Sequence, residues 1–163
     1  MKQHYALWYR LDQQDRYLIW ISDQIDTVYV HQKKIATFES LDALKAFAVT
    51  KHIKMMPEEP VLNNFDTVQE WLTETNGAIN CIDSMNTWNV AKDITNTFRW
   101  KFKGNNPKDQ TTELVYSKIC QNNTLPEYVL GAEGGMMNLK DKERRLLVDI
   151  LKESVEIIKK MLL

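Results

Sequence analysis

The stretch YALWYRLDQQDRYLIWIS, residues 5–22, constrains the fold most, because two apolar runs flank one short polar turn. With the turn at Gln13 and Gln14, the predicted antiparallel register places Tyr9 opposite Leu18. Successive side chains alternate between the faces of a strand, so both faces of this hairpin carry large apolar groups. Such a hairpin needs a covering layer on each side, or it keeps one face for a partner.

The segment after the hairpin, residues 27–38, predicts one bent strand or a second hairpin around Gln32 and Lys33. Helical patterns follow, and this order predicts the α+β class. We expect an antiparallel sheet of three or four strands, mainly within residues 4–38, and helices mainly within residues 41–162. A chain of 163 residues has ordinary single-domain size, which predicts one domain.

Helix starts are predicted from capping residues. Ser40 is the expected N-cap of the first helix, Asp66 opens a capping box for the second, and the third begins near Asp83. The third helix has an apolar stripe of Met85, Trp88, Ala91, Ile94 and Phe98. Residues 111–120 predict a fourth helix. Asn138 is the expected cap of a long C-terminal helix of about 24 residues.

Charge and cysteine content indicate which surface is acidic and in which compartment the protein is expected. The net charge is −1, and residues 1–90 carry 8 Lys and Arg against 12 Asp and Glu, whereas residues 91–163 carry 13 against 10. The first part is therefore the more acidic surface. Only Cys81 and Cys120 occur, as in reducing compartments. Without a signal-peptide pattern or a long apolar run, we expect a cytoplasmic protein with no membrane partner.

Motifs of common catalytic and cofactor sites are not found in the sequence. His4, His31 and His52 are isolated, and no nucleotide-binding, serine-hydrolase or zinc motif occurs. Residues 130–138, LGAEGGMMN, fit either an anion site before a helix or a flexible joint, and Glu133 favours the joint. We therefore expect no enzyme, no cofactor and no metal.

The segment RWKFKGNNPK, residues 99–108, alternates basic and aromatic side chains, as single-stranded nucleic-acid grooves do. The competing interpretation is a basic loop or a short edge strand ending in a turn, and in the edge strand the aromatics would face the core while the lysines face water. The nucleic-acid hypothesis also uses basic residues of the last helix, namely Lys140, Lys142, Arg144 and Arg145. A scaffold or adaptor protein is a third possibility. The net acidic charge favours the edge strand and argues against nucleic acid as a partner.

The segment KKIATFESLDALKAFA, residues 33–48, joins a strand ending in Phe38 to a Ser-capped helix. With the aromatic hairpin before it, residues 5–50 resemble the small cytoplasmic immunity proteins of bacterial toxin systems, including contact-dependent growth inhibition. The resemblance implies a protein that binds one cognate toxin domain, often a nuclease. Binding would block the toxin's active site or substrate path, a role that needs no catalytic group.

The resemblance directs attention to aromatic anchors and acidic side chains, because toxin nucleases are commonly basic where they hold phosphates. The alternative for each acidic residue is an ordinary solvated turn position. The candidate partner-binding residues are Trp8, Tyr17 and Trp20 for the anchors, and Asp12, Asp15, Asp23, Asp26, Glu58 and Glu59 for the charges.

Overall fold

The computed structural model describes residues 1–74, 79–124 and 139–163, with no side chains described for 122–124. The strands are β1 (Gln3–Leu11), β2 (Gln14–Ser22), β3 (Thr27–Val28), β4 (Val30–His31), β5 (Lys34–Ile35), β6 (Thr37–Phe38) and β7 (Leu62–Asn64). The helices are α1 (Leu41–Thr50), α2 (Phe65–Thr73), α3 (Cys81–Phe98), α4 (Gln110–Thr124) and α5 (Asp141–Leu162). This order confirms the predicted α+β class and the long C-terminal helix.

The sheet is built outward from the β1–β2 hairpin. Both β3 and β6 pair antiparallel with the free edge of β2, and β7 pairs parallel with β1. Between β3 and β6 the chain makes a separate two-stranded hairpin, β4–β5, whose turn residues Gln32 and Lys33 have φ of 50° and 67°. The second hairpin is thus confirmed, and the parallel strand β7 is an addition that the sequence pattern did not predict.

The register of β1 and β2 differs from the predicted one by two residues. The turn begins one position earlier, at Asp12, and Tyr9 lies opposite Arg16 rather than Leu18. Asp12 and Gln13 both have positive φ, 50° and 63°, as two-residue hairpin turns of type I′ require. Because the shift is two residues, every side chain stays on its predicted face.

The turn is fixed by a carboxylate from α2. Asp66 accepts hydrogen bonds from the backbone N–H of Asp12 at 2.7 Å and of Gln13 at 2.8 Å. The expected capping role of Asp66 is wrong, since Asn64 caps α2 by accepting from the N–H groups of Asp66 and Thr67. Asp66 is therefore available to hold the hairpin tip against α2.

Each face of the hairpin is covered by helices. Tyr9, Leu11 and Leu18 are buried in the main core, which they share with side chains of α2, α3 and α5. On the opposite face Ile19 is fully buried where α1 packs against β2 and β6. The apolar alternation thus reflects two covering layers, with α1 as the thinner one.

Other predicted helix starts have mixed outcomes. Ser40 caps α1, its hydroxyl accepting from the Ala43 N–H, which confirms that prediction. Helix α3 begins at Cys81 with Asn80 as its cap, two residues before the predicted start. Asn138 and the glycine-rich stretch lie outside the described residues, and Lys140 precedes α5. Among the described helices, none combines the length and the apolar surface needed to cross a bilayer.

The basic segment between α3 and α4 forms no strand. Arg99 ends α3 in the left-handed conformation, and the chain then runs through turns to α4. The indole N–H of Trp88 donates to the Gly104 carbonyl at 2.8 Å, and Phe102 is buried in the core. The edge-strand alternative is therefore wrong and the loop alternative is confirmed. Phe102 faces the core and the lysines face outward as expected, whereas Trp100 is 39% exposed.

Gly104 leaves no room for a side chain. A Cβ atom there would lie 2.6 Å from Trp88 Nε1 and 2.7 Å from the Phe102 ring. We expect Gly104→Ala to lower the free energy of unfolding by about 1–3 kcal/mol, because the rings must move apart. Urea unfolding measured by circular dichroism tests this. Lys108→Ala, at an exposed position of the same segment, is the control, and equal stability of both variants would contradict the prediction.

Candidate functional site

A cleft of about 870 Å³ opens between the sheet, the loop after β2 and helix α3. Leu7 and Trp20 form its sheet wall, residues 23–26 form its rim, and polar side chains of α3 form its floor. Asn105 and Tyr116 close the far side. We call this space the cleft, and we call residues 23–26 the acidic loop because Asp23 and Asp26 flank it.

The acidic loop is held in place by side chains rather than by strand pairing. Asp26 Oδ1 accepts from the Asp23 N–H at 3.2 Å, which closes the turn. Asn96 of α3 donates from Nδ2 to the Asp26 carbonyl at 3.1 Å, and its own Oδ1 accepts from Asn105 Nδ2 at 2.8 Å. One chain of hydrogen bonds thus links the rim, the floor and the far wall of the cleft.

Asp93 joins α3 to the sheet. Its Oδ2 accepts from the indole N–H of Trp20 at 3.0 Å, and only 9% of the residue is exposed. Its backbone carbonyl accepts from the Thr97 hydroxyl at 2.7 Å, while that hydroxyl oxygen accepts from the Val28 N–H at 2.9 Å. These contacts hold the backbone of Asp93 against β3 and its carboxylate against Trp20.

Burial makes the Asp93 carboxylate difficult to ionise. Desolvation raises its pKa to about 7, and the neighbouring Asp26 adds to the rise, while Trp20 and Lys92 oppose it. Among the described residues, no lysine or arginine forms a salt bridge with Asp93 or Asp26. The cleft therefore holds negative charge that no neighbouring side chain neutralises by direct contact.

The floor of the cleft is a polar stripe of α3 that the sequence analysis missed. Its members, spaced three or four residues apart, are Asn86, Asn89, Asp93 and Asn96. Asn89 accepts from the Tyr116 hydroxyl at 2.9 Å. The signal was present in the sequence, because this spacing runs beside the apolar stripe that was recognised on the same helix.

The structure brings together three of the predicted partner-binding residues, since Trp20, Asp23 and Asp26 all line the cleft. Asp12 and Asp15 lie at the tip of the hairpin instead. Asp12 is 3.6 Å from Lys159 Nζ, and Asp15 pairs with Arg10 at 2.6 Å, a hydrogen bond that lowers the pKa of the Asp15 carboxyl.

The remaining candidates lie elsewhere. Trp8 and Tyr17 pair across the strands on the face that α1 packs against, with ring centroids 6.2 Å apart. Glu58 and Glu59 are exposed on the loop before β7, beside a small cavity next to α1. The predicted surface is thus divided among the cleft, the hairpin tip and the α1 side.

The chemistry of the cleft is that of charge and amide recognition. Its lining, within the part of the chain that the structure describes, contains no serine, cysteine or histidine side chain. The described residues also include no group of three His, Cys, Asp or Glu side chains able to hold a metal ion. Carboxylates and amide oxygens accept hydrogen bonds, so the arrangement suits a cationic or donor-rich group.

The raised pKa of Asp93 predicts an unusual dependence of stability on pH. The folded chain binds this proton more tightly than the unfolded chain does. The stability that the bound proton contributes is therefore fully present below pH 4 and is lost as pH rises towards 7. We expect Asp93→Asn to stabilise the protein, relative to wild type, by about 2–3 kcal/mol more at pH 8 than at pH 5. Urea unfolding at the two pH values measures this difference.

Asp149→Asn is the matched control for that experiment, because it removes the same group from an exposed position of α5. A difference between pH 8 and pH 5 no larger for Asp93→Asn than for Asp149→Asn would contradict the prediction.

Comparison with known proteins gives no relative from which a role can be transferred. No protein-family model, curated protein sequence or solved structure matches this chain.

Proposed function

We propose that this chain is an immunity protein that binds a cognate toxin domain, of the nuclease class, and blocks its active site or substrate path. The observation that carries the proposal is the cleft, where Trp20, Asp23 and Asp26 meet the buried carboxylate of Asp93. Neutralisation by binding needs a preorganised surface and no catalytic group. The partner is thus a protein, bound without cofactor or metal, and we place the encounter in the cytoplasm.

Charge supports this choice of partner. The acidic loop and Asp93 concentrate carboxylates on one side of the molecule without a salt bridge to a lysine or arginine among the described residues. A nuclease is basic where it holds phosphates, so such a surface attracts it and takes the place of the nucleic-acid backbone. Complementary charge also accelerates association, which matters when the toxin must be stopped before it acts.

Rigidity and apolar surface support it as well. Asn96 and Asn105 hold the acidic loop in one position, which reduces the entropy that binding would otherwise cost. Ile25, at the tip of that loop, is 65% exposed, and Trp20 lines the cleft behind it. An interface centred here would combine an aromatic and an aliphatic contact with a rim of carboxylates.

The alternative, nucleic-acid binding through residues 99–108, has less support. Phe102 is buried and so presents no ring for a base. Lys103 Nζ lies 3.8 Å from Asp149, and the Lys103 backbone N–H donates to Glu153 at 3.3 Å. Trp100 is partly exposed, but Lys160 lies over its ring, 5.0 Å from the centroid. Acidic neighbours and an occupied aromatic face weaken this segment as a phosphate and base groove.

Co-expression tests the proposal. The protein is produced with the product of the open reading frame immediately upstream, and the pair is examined by affinity pull-down and by growth with and without this chain. We expect an equimolar complex that survives size-exclusion chromatography and a rescue of growth. A toxic upstream product that neither binds this chain nor is neutralised by it would contradict the proposal.

A pair of double variants locates the surface. Asp23→Asn with Asp26→Asn removes two charges from the cleft rim while keeping the Asp26 oxygen that closes the turn. Glu58→Gln with Glu59→Gln removes two charges from the loop beside α1. We expect the first pair to raise the Kd for the toxin by about tenfold or more and the second to leave it near the wild-type value. The reverse order would contradict the location.

A further inference from the structure

The charges around the cleft do not balance. Asp23, Asp26 and Asp93 border it, and Lys92 is the one cationic side chain among its described lining residues. The Lys92 ammonium forms no salt bridge with any of the three carboxylates. The nearest cationic contact is the amino group of Met1, 3.9 Å from Asp23 at the outer rim. The inner part of the cleft is therefore a favourable place for a positive group from outside.

The acceptors are arranged around a buried carboxylate. Asp93 Oδ2 receives the Trp20 indole N–H, whereas no described residue donates a hydrogen bond to Asp93 Oδ1. The residue is 9% exposed and lines the cleft, so its second oxygen has acceptor capacity where a bound group would lie. Carboxamides of Asn86, Asn89 and Asn96 line the same wall along α3. The oxygens of Asn89 and Asn96 already accept from Tyr116 and Asn105, and each has a second lone pair.

This set of acceptors matches a guanidinium group better than other charged groups. A guanidinium is planar and has five N–H donors, so it can bond a carboxylate and surrounding amide oxygens together. An ammonium has three donors on one atom and keeps its water more strongly. An anion would be repelled by the carboxylates. The indole N–H of Trp20 holds the carboxylate through Oδ2, which leaves Oδ1 for the guanidinium.

We propose that the cleft binds the guanidinium group of an arginine side chain of the protein partner, with Asp93 as its principal acceptor and Trp20 beside it. The inference rests on the proposed function, because it names the group of the toxin that this surface recognises. An arginine that would otherwise hold a phosphate is the natural candidate, since guanidinium binds phosphate and carboxylate in the same bidentate manner.

Binding of such a group should depend on pH. The titratable groups that line the cleft with Asp93 are Asp23 and Asp26 of the acidic loop, Lys92 of α3 and Tyr116 of α4. With the pKa of Asp93 at about 7, the carboxyl is mainly protonated at pH 6 and mainly ionised at pH 8. A cation therefore binds more tightly at pH 8, and its binding releases a proton near neutrality.

The test uses the free protein and N-acetyl-arginine amide as the probe, followed by ¹H–¹⁵N NMR. The indole N–H signal of Trp20 is the readout because this group donates to Asp93, and its loss in Trp20→Phe identifies it. We expect a saturable shift of that signal at pH 8, with half-saturation at about 1 mM, and about tenfold weaker binding at pH 6. N-acetyl-citrulline amide, which is neutral and nearly isosteric, should not bind.

Two variants sharpen the result. Asp93→Asn keeps an oxygen for the Trp20 N–H but removes the charge, and we expect it to weaken binding of the probe by about tenfold. Asp149→Asn removes an exposed carboxylate of α5 and should bind the probe as wild type does. If Asp93→Asn does not fold, the comparison of probe binding at pH 8 and pH 6 on the wild-type chain tests the role of Asp93.

Several outcomes would overturn the inference. These are no shift of the Trp20 signal at ten times the expected concentration, equal binding of the citrulline and arginine probes, or equal binding of N-acetyl-lysine amide. Because the titration contains no toxin, its failure leaves the complex and the growth rescue to decide the proposed function. Conversely, probe binding without any toxin complex would leave a cation site whose partner is not a toxin.

Discussion

Both faces of the β1–β2 hairpin are apolar, and the rest of the structure follows from the need to cover them. Helices α2, α3 and α5 bury the face of Tyr9 and Leu18, while α1 packs on the face of Ile19. Because α3 must lie across the first of these faces, its polar side comes to rest beside the loop that leaves β2. The cleft forms where the covering helix and the edge of the sheet part.

The buried carboxylate of the cleft destabilises the folded protein. Burying a carboxylate near a second one costs free energy, and Asp93 is held there by one indole hydrogen bond with no salt bridge among the described residues. Buried ionisable groups with shifted pKa values are common at functional sites, where a bound ligand supplies the partner that the protein itself lacks. The amide network of Asn96 and Asn105 keeps the surrounding loop in position, so the site exists before a partner arrives.

Local sequence patterns correctly predicted local features of the structure, namely side-chain faces and a helix cap. Alternation along residues 5–22 placed each hairpin side chain on its correct face, and Ser40 was found as a cap from its position alone. The predicted register of β1 and β2 was wrong because Asp66, more than fifty residues away in sequence, fixes the turn one position earlier. Trp20, Asp23 and Asp26 of the site were predicted, but Asp93 was not, since Trp20 and Asp93 are 73 residues apart and their contact depends on how α3 packs. A charge balance over the whole chain cannot reveal one unneutralised carboxylate.

The buried charge of the cleft is tested most directly by a pH titration of the Asp93 side-chain carboxyl, followed by its ¹³C chemical shift in the free protein. We expect a midpoint near 7, because burial and the neighbouring Asp26 both raise the pKa of this carboxyl. A midpoint near 4, at the value of an ordinary aspartate, would mean that the carboxylate is already solvated or neutralised. Asp93 would then not be a buried carboxylate in need of a partner, and the cation site centred on it would be contradicted.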